Sequence, residues 1–159
     1  MTATRHPLQL RAFCAADAPA VASWFADAGL TLPPPGSAWA ARLVEDPRIV
    51  VFVAEEAGRP VGFLRLDCGP DGLAELTMVV CPAKRAQGRG RQLFALALPR
   101  IRALGLRGLV AFVELHNDGA RRFFERRGFC AGSRVGDRLR LQRLVHAGGP
   151  SVEPLDVGV

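Results

Sequence analysis

From Val79 to Arg91 the chain reads Val-Val-Cys-Pro-Ala-Lys-Arg-Ala-Gln-Gly-Arg-Gly-Arg, with three arginines and two glycines just ahead of an apolar-periodic segment. Arg85, Arg89 and Arg91 offer cationic donors. Ala86 and Gln87 lead into Gly88 and Gly90, which lack the Cβ that would hold an anion off the main chain. If the following segment is a helix, its first N–H groups lack partners and carry about half a positive charge. The chemistry is phosphate binding at a helix N-terminus. The stretch has no Lys-Ser/Thr of a Walker P-loop, and Leu93 stands where a dinucleotide fingerprint has its third glycine. An ordinary basic strand-to-helix turn is the competing reading.

Two other positions could do chemistry. Glu75 is the one charged residue in the apolar run Leu73 to Val80, where it reads as a general base or as a sheet-edge salt bridge with an arginine. Asn117 opens a later segment as a helix cap, beside His116, which reads as a proton relay or as a solvated histidine.

Hydrophobic periodicity supplies the elements that would position these groups. Leu73 to Val80 is a strand whose alternation sets Leu76, Met78 and Val80 on one face and Glu75, Thr77 and Val79 on the other. A helix with Leu93, Phe94, Ala97, Ile101 and Leu104 on one face follows the glycines, and Pro99 should kink it or end it near Leu96 to Leu98. Gly108 to Leu115 is a nearly continuous apolar strand suited to parallel pairing. Asn117 then begins a helix with Ala120, Phe123 and Phe124 inward, which Gly128 stops.

Upstream, Leu8 to Phe13 reads as a strand and Asp17 starts a helix that ends at Gly29. Pro33 to Pro35 form a stiff link, and Ser37 caps a short helix with Trp39, Leu43 and Val44. Ile49 to Glu55 and Pro60 to Asp67 form a hairpin. Phe129 to Ser133 and Arg138 to Val145 are the last strands, and residues 146–159 read as a mobile tail.

The stretch Val80-x-Pro82-x-x-Arg85-x-Gln87-Gly88-x-Gly90 resembles the pyrophosphate-binding motif of the GNAT superfamily of acyl-CoA-dependent N-acetyltransferases. Asn117-x-x-Ala120-x-x-Phe123-Phe124-Glu125-x-x-Gly128-Phe129 resembles that superfamily's next strand–helix segment. The resemblance implies a mixed α/β fold: one domain over residues 1–145, with a twisted, mostly antiparallel sheet of six or seven strands and helices on both faces. The strands ending at Val80 and Leu115 should run parallel and splay apart.

It further implies acetyl-CoA as cosubstrate, bound by Val79 and Val80 through their backbone, by Arg85, Ala86, Gln87, Gly88, Arg89, Gly90 and Arg91 around the pyrophosphate, and by Asn117 and Phe124. Glu75 would be the catalytic base, and the Pro33 to Pro35 segment could rim the acceptor site. The expected reaction is acetyl transfer to a primary amine, a small molecule or a protein N-terminus, by direct attack in a ternary complex. One departure stands out: many members have tyrosine at the Phe124 position as general acid, and this chain contains no tyrosine. A non-catalytic acyl-CoA sensor is therefore the alternative.

Composition bounds these readings. The 159 residues are 49% hydrophobic and 23% charged, which suits a single soluble domain with a core. No apolar run approaches membrane-spanning length and the first residues lack a signal-peptide core, so a cytoplasmic location is expected. Cys14, Cys68, Cys81 and Cys130 are scattered, which indicates free thiols and no metal site, though Cys81 adjoins the anion seat. The net charge of +6 divides into −3 over residues 1–80 and +9 over residues 81–159. A nucleic-acid motif and tyrosines for base stacking are lacking; the resemblance implies a C-terminal half that holds the polyanionic coenzyme and an N-terminal half that supplies much of the acceptor site, and a basic half for phosphates and an acidic half for a cationic amine fit that division. The expected partner is an amine acceptor, with no nucleic acid and no membrane, and a homodimer left open.

Overall fold

The structure, a computed structural model, describes residues 6–27, 38–85 and 87–145. Among the described residues there are seven strands and four helices, in the order β1 (Gln9–Ala12), α1 (Ala18–Asp27), α2 (Trp39–Glu45), β2 (Ile49–Glu56), β3 (Arg59–Cys68), β4 (Leu73–Val80), α3 (Arg89–Ala103), β5 (Gly108–Glu114), α4 (Asp118–Arg126), β6 (Cys130–Val135) and β7 (Arg138–Leu144). They form one sheet in the order β1-β2-β3-β4-β5-β7-β6. Among the described residues every neighbouring pair is antiparallel except β4 and β5.

The alternation read from the sequence decides which side each helix covers. Ala74 and Leu76 of β4 join Leu64, Leu66, Leu109, Ala111 and Leu141 in a cluster with Leu93, Phe94, Ala97 and Ile101 of α3. Val79, on the opposite face, packs with Val53, Phe63, and Val21, Trp24, Phe25 and Leu43 of α1 and α2. Helices therefore cover both faces, with α3 and the inner side of α4 on one and α1 and α2 on the other.

Several boundaries differ from the sequence reading for local reasons. A single 3-10 turn (Ala15–Asp17) precedes α1, because the Asp17 carboxylate accepts the Cys14 N–H at 2.9 Å and closes the turn first. Pro99 lies inside α3 without ending it. The missing N–H would have bonded the carbonyl of Ala95, and both residues face solvent, where water can serve that carbonyl. The Pro33 to Pro35 link, the Ser37 cap, the Gly29 stop and the 146–159 tail lie outside the described residues.

Candidate active site

β4 and β5 are in register only at Leu73 with Gly108, Ala74 with Leu109 and Glu75 with Val110; beyond these pairs the strands splay. The hydrogen-bond parity of the flanking ladders says what lines the gap. Cys81 N–H bonds Val61 O at 2.9 Å and Phe63 pairs with Val79, so the main chains of Val79, Thr77 and Glu75 face β3. Those of Met78 and Val80 face the splay. On β5, Leu115 N–H bonds Asp137 O at 3.1 Å and Val145 N–H bonds Arg107 O at 2.9 Å, which turns the main chains of Phe112 and Glu114 inward. The slot thus offers peptide groups from both banks that no neighbouring strand pairs, although the Val80 carbonyl accepts from Arg85 Nε and the Glu114 carbonyl from the Asn117 N–H. Of the two valines expected to hold an arm there, Val80 does face it. Val79 contributes its main chain to the β3 ladder and its side chain to the core, and Met78 takes its place.

At the open end of the splay lies a cleft of about 510 Å³ lined by Met78, Val80, Lys84, Arg85 and Gly88, by Arg89, Gly90 and Arg91 of α3, and by Ala120, Phe123, Phe124 and Arg126 of α4. Gly88 is the N-cap of α3 with φ +78°, a left-handed conformation that costs an L side chain about 1–2 kcal/mol. Gln92 N–H, on Gly88 O at 3.1 Å, is the first to find a helical carbonyl. The N–H groups of Arg89, Gly90 and Arg91 have no such acceptor among the described residues and open toward the cleft. Gly90 has a different reason to be glycine: a Cβ there would lie 3.2 Å from the Phe123 ring, so its absence lets α4 close on α3.

The basic side chains divide by task. Arg85 Nε donates to Val80 O at 3.0 Å, tying the loop to the end of β4. Arg89 is buried, and its Nη2 reaches Glu56 Oε1 at 2.6 Å. Lys84 Nζ sits 3.1 Å from Glu56 Oε2, and these two cations, Lys84 foremost, hold the Glu56 carboxyl below its usual range. Arg89 was expected among the phosphate donors; its side chain instead anchors the N-terminus of α3 to the end of β2, and its backbone N–H is what remains at the seat. Gln87 is exposed, with Nε2 on Ala83 O at 3.2 Å. Ala86 lies outside the described residues.

On α4, Asn117 Oδ1 accepts the Ala120 N–H at 3.0 Å, which makes the residue the expected cap; it does not line the cleft. Phe124 does line it, braced edge-on against Phe129 at 5.1 Å and Phe123 at 5.3 Å. Phe123, Met78, Lys84 and Arg126 also belong to this wall and were not singled out as site residues from sequence. The β4 parity contained the signal for Met78, because it shares a face with Val80.

Glu75 occupies the last position at which β4 and β5 remain paired, on the sheet face away from the cleft. It is exposed and has no ion pair among the described residues. Its neighbour Asp67 is engaged by Arg65 Nη2 at 2.8 Å. Glu114 shares the face of Glu75 across the splay, a second carboxylate the sequence reading did not single out. His116 is exposed in the turn after β5. Cys81 packs against the α1–α2 cluster, and all four cysteines are free thiols.

A slot between splayed parallel strands, opening onto a helix N-terminus rich in arginine, is an arrangement for an extended arm ending in phosphates. Residues 18–129 match the model of the acetyltransferase (GNAT) family, and the chain belongs to that family. Over 80 residues, 50% of this chain, it is 35% identical to the mycothiol acetyltransferase of Thermomonospora curvata, of which the match spans 27%. Among solved structures, a variant of the spermidine N-acetyltransferase of Vibrio cholerae superposes with a TM-score of 0.77 at 21% identity, over 86% of this chain and 93% of that one. The PaiA N-acetyltransferase of Thermoplasma acidophilum, in complex with coenzyme A, superposes at 0.69 with 18% identity, over 87% and 99%. At these identities the structural likeness is one of fold. Among the described residues no helix is long and apolar enough to cross a membrane, and no group of three or more His, Cys, Asp or Glu is placed to hold a metal ion.

Proposed function

We propose that this chain is an N-acetyltransferase that moves an acetyl group from acetyl-CoA to a primary amine by direct attack in a ternary complex. The observation that carries the reading is the continuity of the splay with the cleft at the N-terminus of α3. The residues present fit the cosubstrate: the N–H groups at the start of α3 suit the pyrophosphate, and the main chains of Met78 and Phe112 and the N–H groups of Val80 and Glu114 offer partners to the amides of the pantetheine arm. Acetyl-CoA would supply an activated thioester acyl group.

The chain's own residues then have two tasks. A main-chain N–H of Met78 or Val80, aimed into the splay, would stabilise negative charge developing on the acetyl oxygen. Glu75 would take the proton from the acceptor nitrogen, because an ammonium has no lone pair. At an amine pKa of about 10.4, only about one part in 2,500 is neutral at pH 7, roughly 4.6 kcal/mol short of full availability. The gap in the sheet starts beside Glu75, so an amine approaching from the α1–α2 face meets its carboxylate before the splay. The phenyl ring of Phe124 cannot donate a proton to the departing thiolate; with a thiol pKa near 8.5 that thiolate leaves unaided more readily than an ammonium attacks.

The acceptor is a small-molecule amine or a protein N-terminus. Phe124 also motivates a second reading, an acyl-CoA sensor that binds without turnover. Thiol release from acetyl-CoA over a panel of polyamines, aminosugars and N-terminal peptides separates the two. The enzyme reading expects amine-dependent release. Tight binding with none across the panel contradicts it.

A further inference from the structure

The coenzyme carries phosphate in two places, a pyrophosphate and a phosphomonoester on the ribose 3′ oxygen, and the seat at α3 accounts for the first. The cleft lining includes Lys84, Arg85, Arg89, Arg91 and Arg126 and no carboxylate. Lys84 and Arg89 are engaged by Glu56. Arg91, in the first turn of α3, and Arg126, in the last turn of α4, have no ion pair among the described residues. Glu125, the acid nearest them on α4, is drawn back to Arg121 at 3.2 Å.

A third guanidinium closes the group. That of Arg127 lies 4.6 Å over the Phe123 ring, with its Nε buried and without a hydrogen-bond partner. Burial first, and then Arg91 and Arg126, hold Arg127 below the ordinary arginine range, so Arg127 feels both cations, which share the cleft lining. Position on α4 explains part of this, because a helix C-terminus favours cations. It does not explain Arg91, which faces the positive end of the α3 dipole and two further arginines. An anion held between the two helices would compensate all of these repulsions together.

We propose that Arg91 and Arg126 form a second anion subsite, beside the helix N-terminus, that takes the ribose 3′-phosphate and makes the chain selective for coenzyme A over its 3′-dephospho form. Arg127, fixed over Phe123, is a positioning residue that keeps this corner positive. The phosphomonoester carries about −1.5 to −2 charges near pH 7, enough to engage both guanidiniums. This subsite rests on the coenzyme reading above.

The test is isothermal titration of the full chain, as wild type, R91Q, R126Q and R91Q/R126Q, with coenzyme A and with 3′-dephospho-coenzyme A at one fixed salt concentration. The subsite predicts that the dephospho form binds the wild type about tenfold more weakly, and that the double variant loses the difference by weakening coenzyme A alone. Equal affinity of the two ligands for the wild type overturns it, as does an equal loss for both ligands in the double variant. Binding of neither form by the folded wild type overturns the coenzyme reading and the subsite together.

Discussion

Glu75 and Gly88 stand at opposite ends of the slot, and a single substitution at either addresses one half of the account. From Glu75 to Val80 the strand advances about 17 Å, so the carboxylate lies at the apex of the splay and the proposed phosphate seat beyond its mouth. Glu75→Gln keeps the shape and removes the proposed base. The rate at pH 7 should fall by at least about a hundredfold, and the deficit should shrink as pH approaches the amine pKa, where the acceptor deprotonates unaided. A pH–rate profile parallel to that of the wild type would remove Glu75 from the mechanism and turn attention to Glu114.

Side-chain destinations were legible from the sequence only where they depend on local periodicity. The alternation in β4 correctly set Glu75 apart from Met78 and Val80. Arg89 shows the limit: its partner Glu56 lies 33 positions earlier, and nothing local tells a phosphate donor from an ion-pair donor. Assigning Val79 rather than Met78 to the slot had the same origin, because which peptide groups face β3 depends on a ladder that the strand's own sequence does not encode. The arginine corner of Arg91, Arg126 and Arg127 exists only through the approach of α4 to α3.

Among the elements, α4 is held in place mostly at its ends. None of its residues is fully buried, so its start depends on the Asn117 cap and its inner side on Phe124 against Phe129. Asn117→Ala should cost about 1 kcal/mol, equivalent to about 3 °C in Tm, measured by a thermal melt. The same variant should weaken coenzyme binding only modestly, since Asn117 does not line the cleft. A loss of affinity of a hundredfold or more without a change in Tm would instead make Asn117 a direct ligand. The elements themselves were largely legible, because Leu73–Val80 and Gly108–Glu114 are apolar runs and their neighbours carry clear caps and turns, whereas the splay was implied only by the resemblance to the superfamily. Pro99 does not end α3: a proline ends a helix most readily where it leaves a buried carbonyl unpaired, and here Ala95 is exposed to water.

At the scale of the molecule, the acidic N-terminal half is less a field for a cationic amine than its charge suggests. Asp17, Asp46, Glu55, Glu56 and Asp67 are all paired with Arg or Lys. Asp17 matters most for stability. It is buried beneath Arg11, whose guanidinium, first among the causes, lowers its pKa from 3.8 to about 2. A carboxyl depressed on folding contributes stability that is complete above its unfolded pKa and lost as pH falls through the folded one. The window is therefore roughly pH 4 to 2, and the contribution about 2 kcal/mol before allowing for solvent around the partly exposed Arg11. Urea unfolding at about pH 5 and about pH 2.5 should show this loss in the wild type and a smaller one in Asp17→Asn. Equal acid sensitivity would place the titrating group elsewhere.

The most direct measurement is isothermal titration of acetyl-CoA into the wild type, Gly88→Ala and Gly88→Glu. A Cβ at Gly88 meets nothing within 4 Å, and φ +78° strains both variants alike, so alanine controls for the fold and glutamate adds a longer side chain ending in a negative charge at the α3 N-terminus. The account predicts binding by the wild type, weaker but measurable binding by Gly88→Ala, and none by Gly88→Glu although its melting temperature matches that of the alanine variant. Undiminished affinity in Gly88→Glu, or no binding by the wild type, would contradict the anion seat on which the proposed function stands.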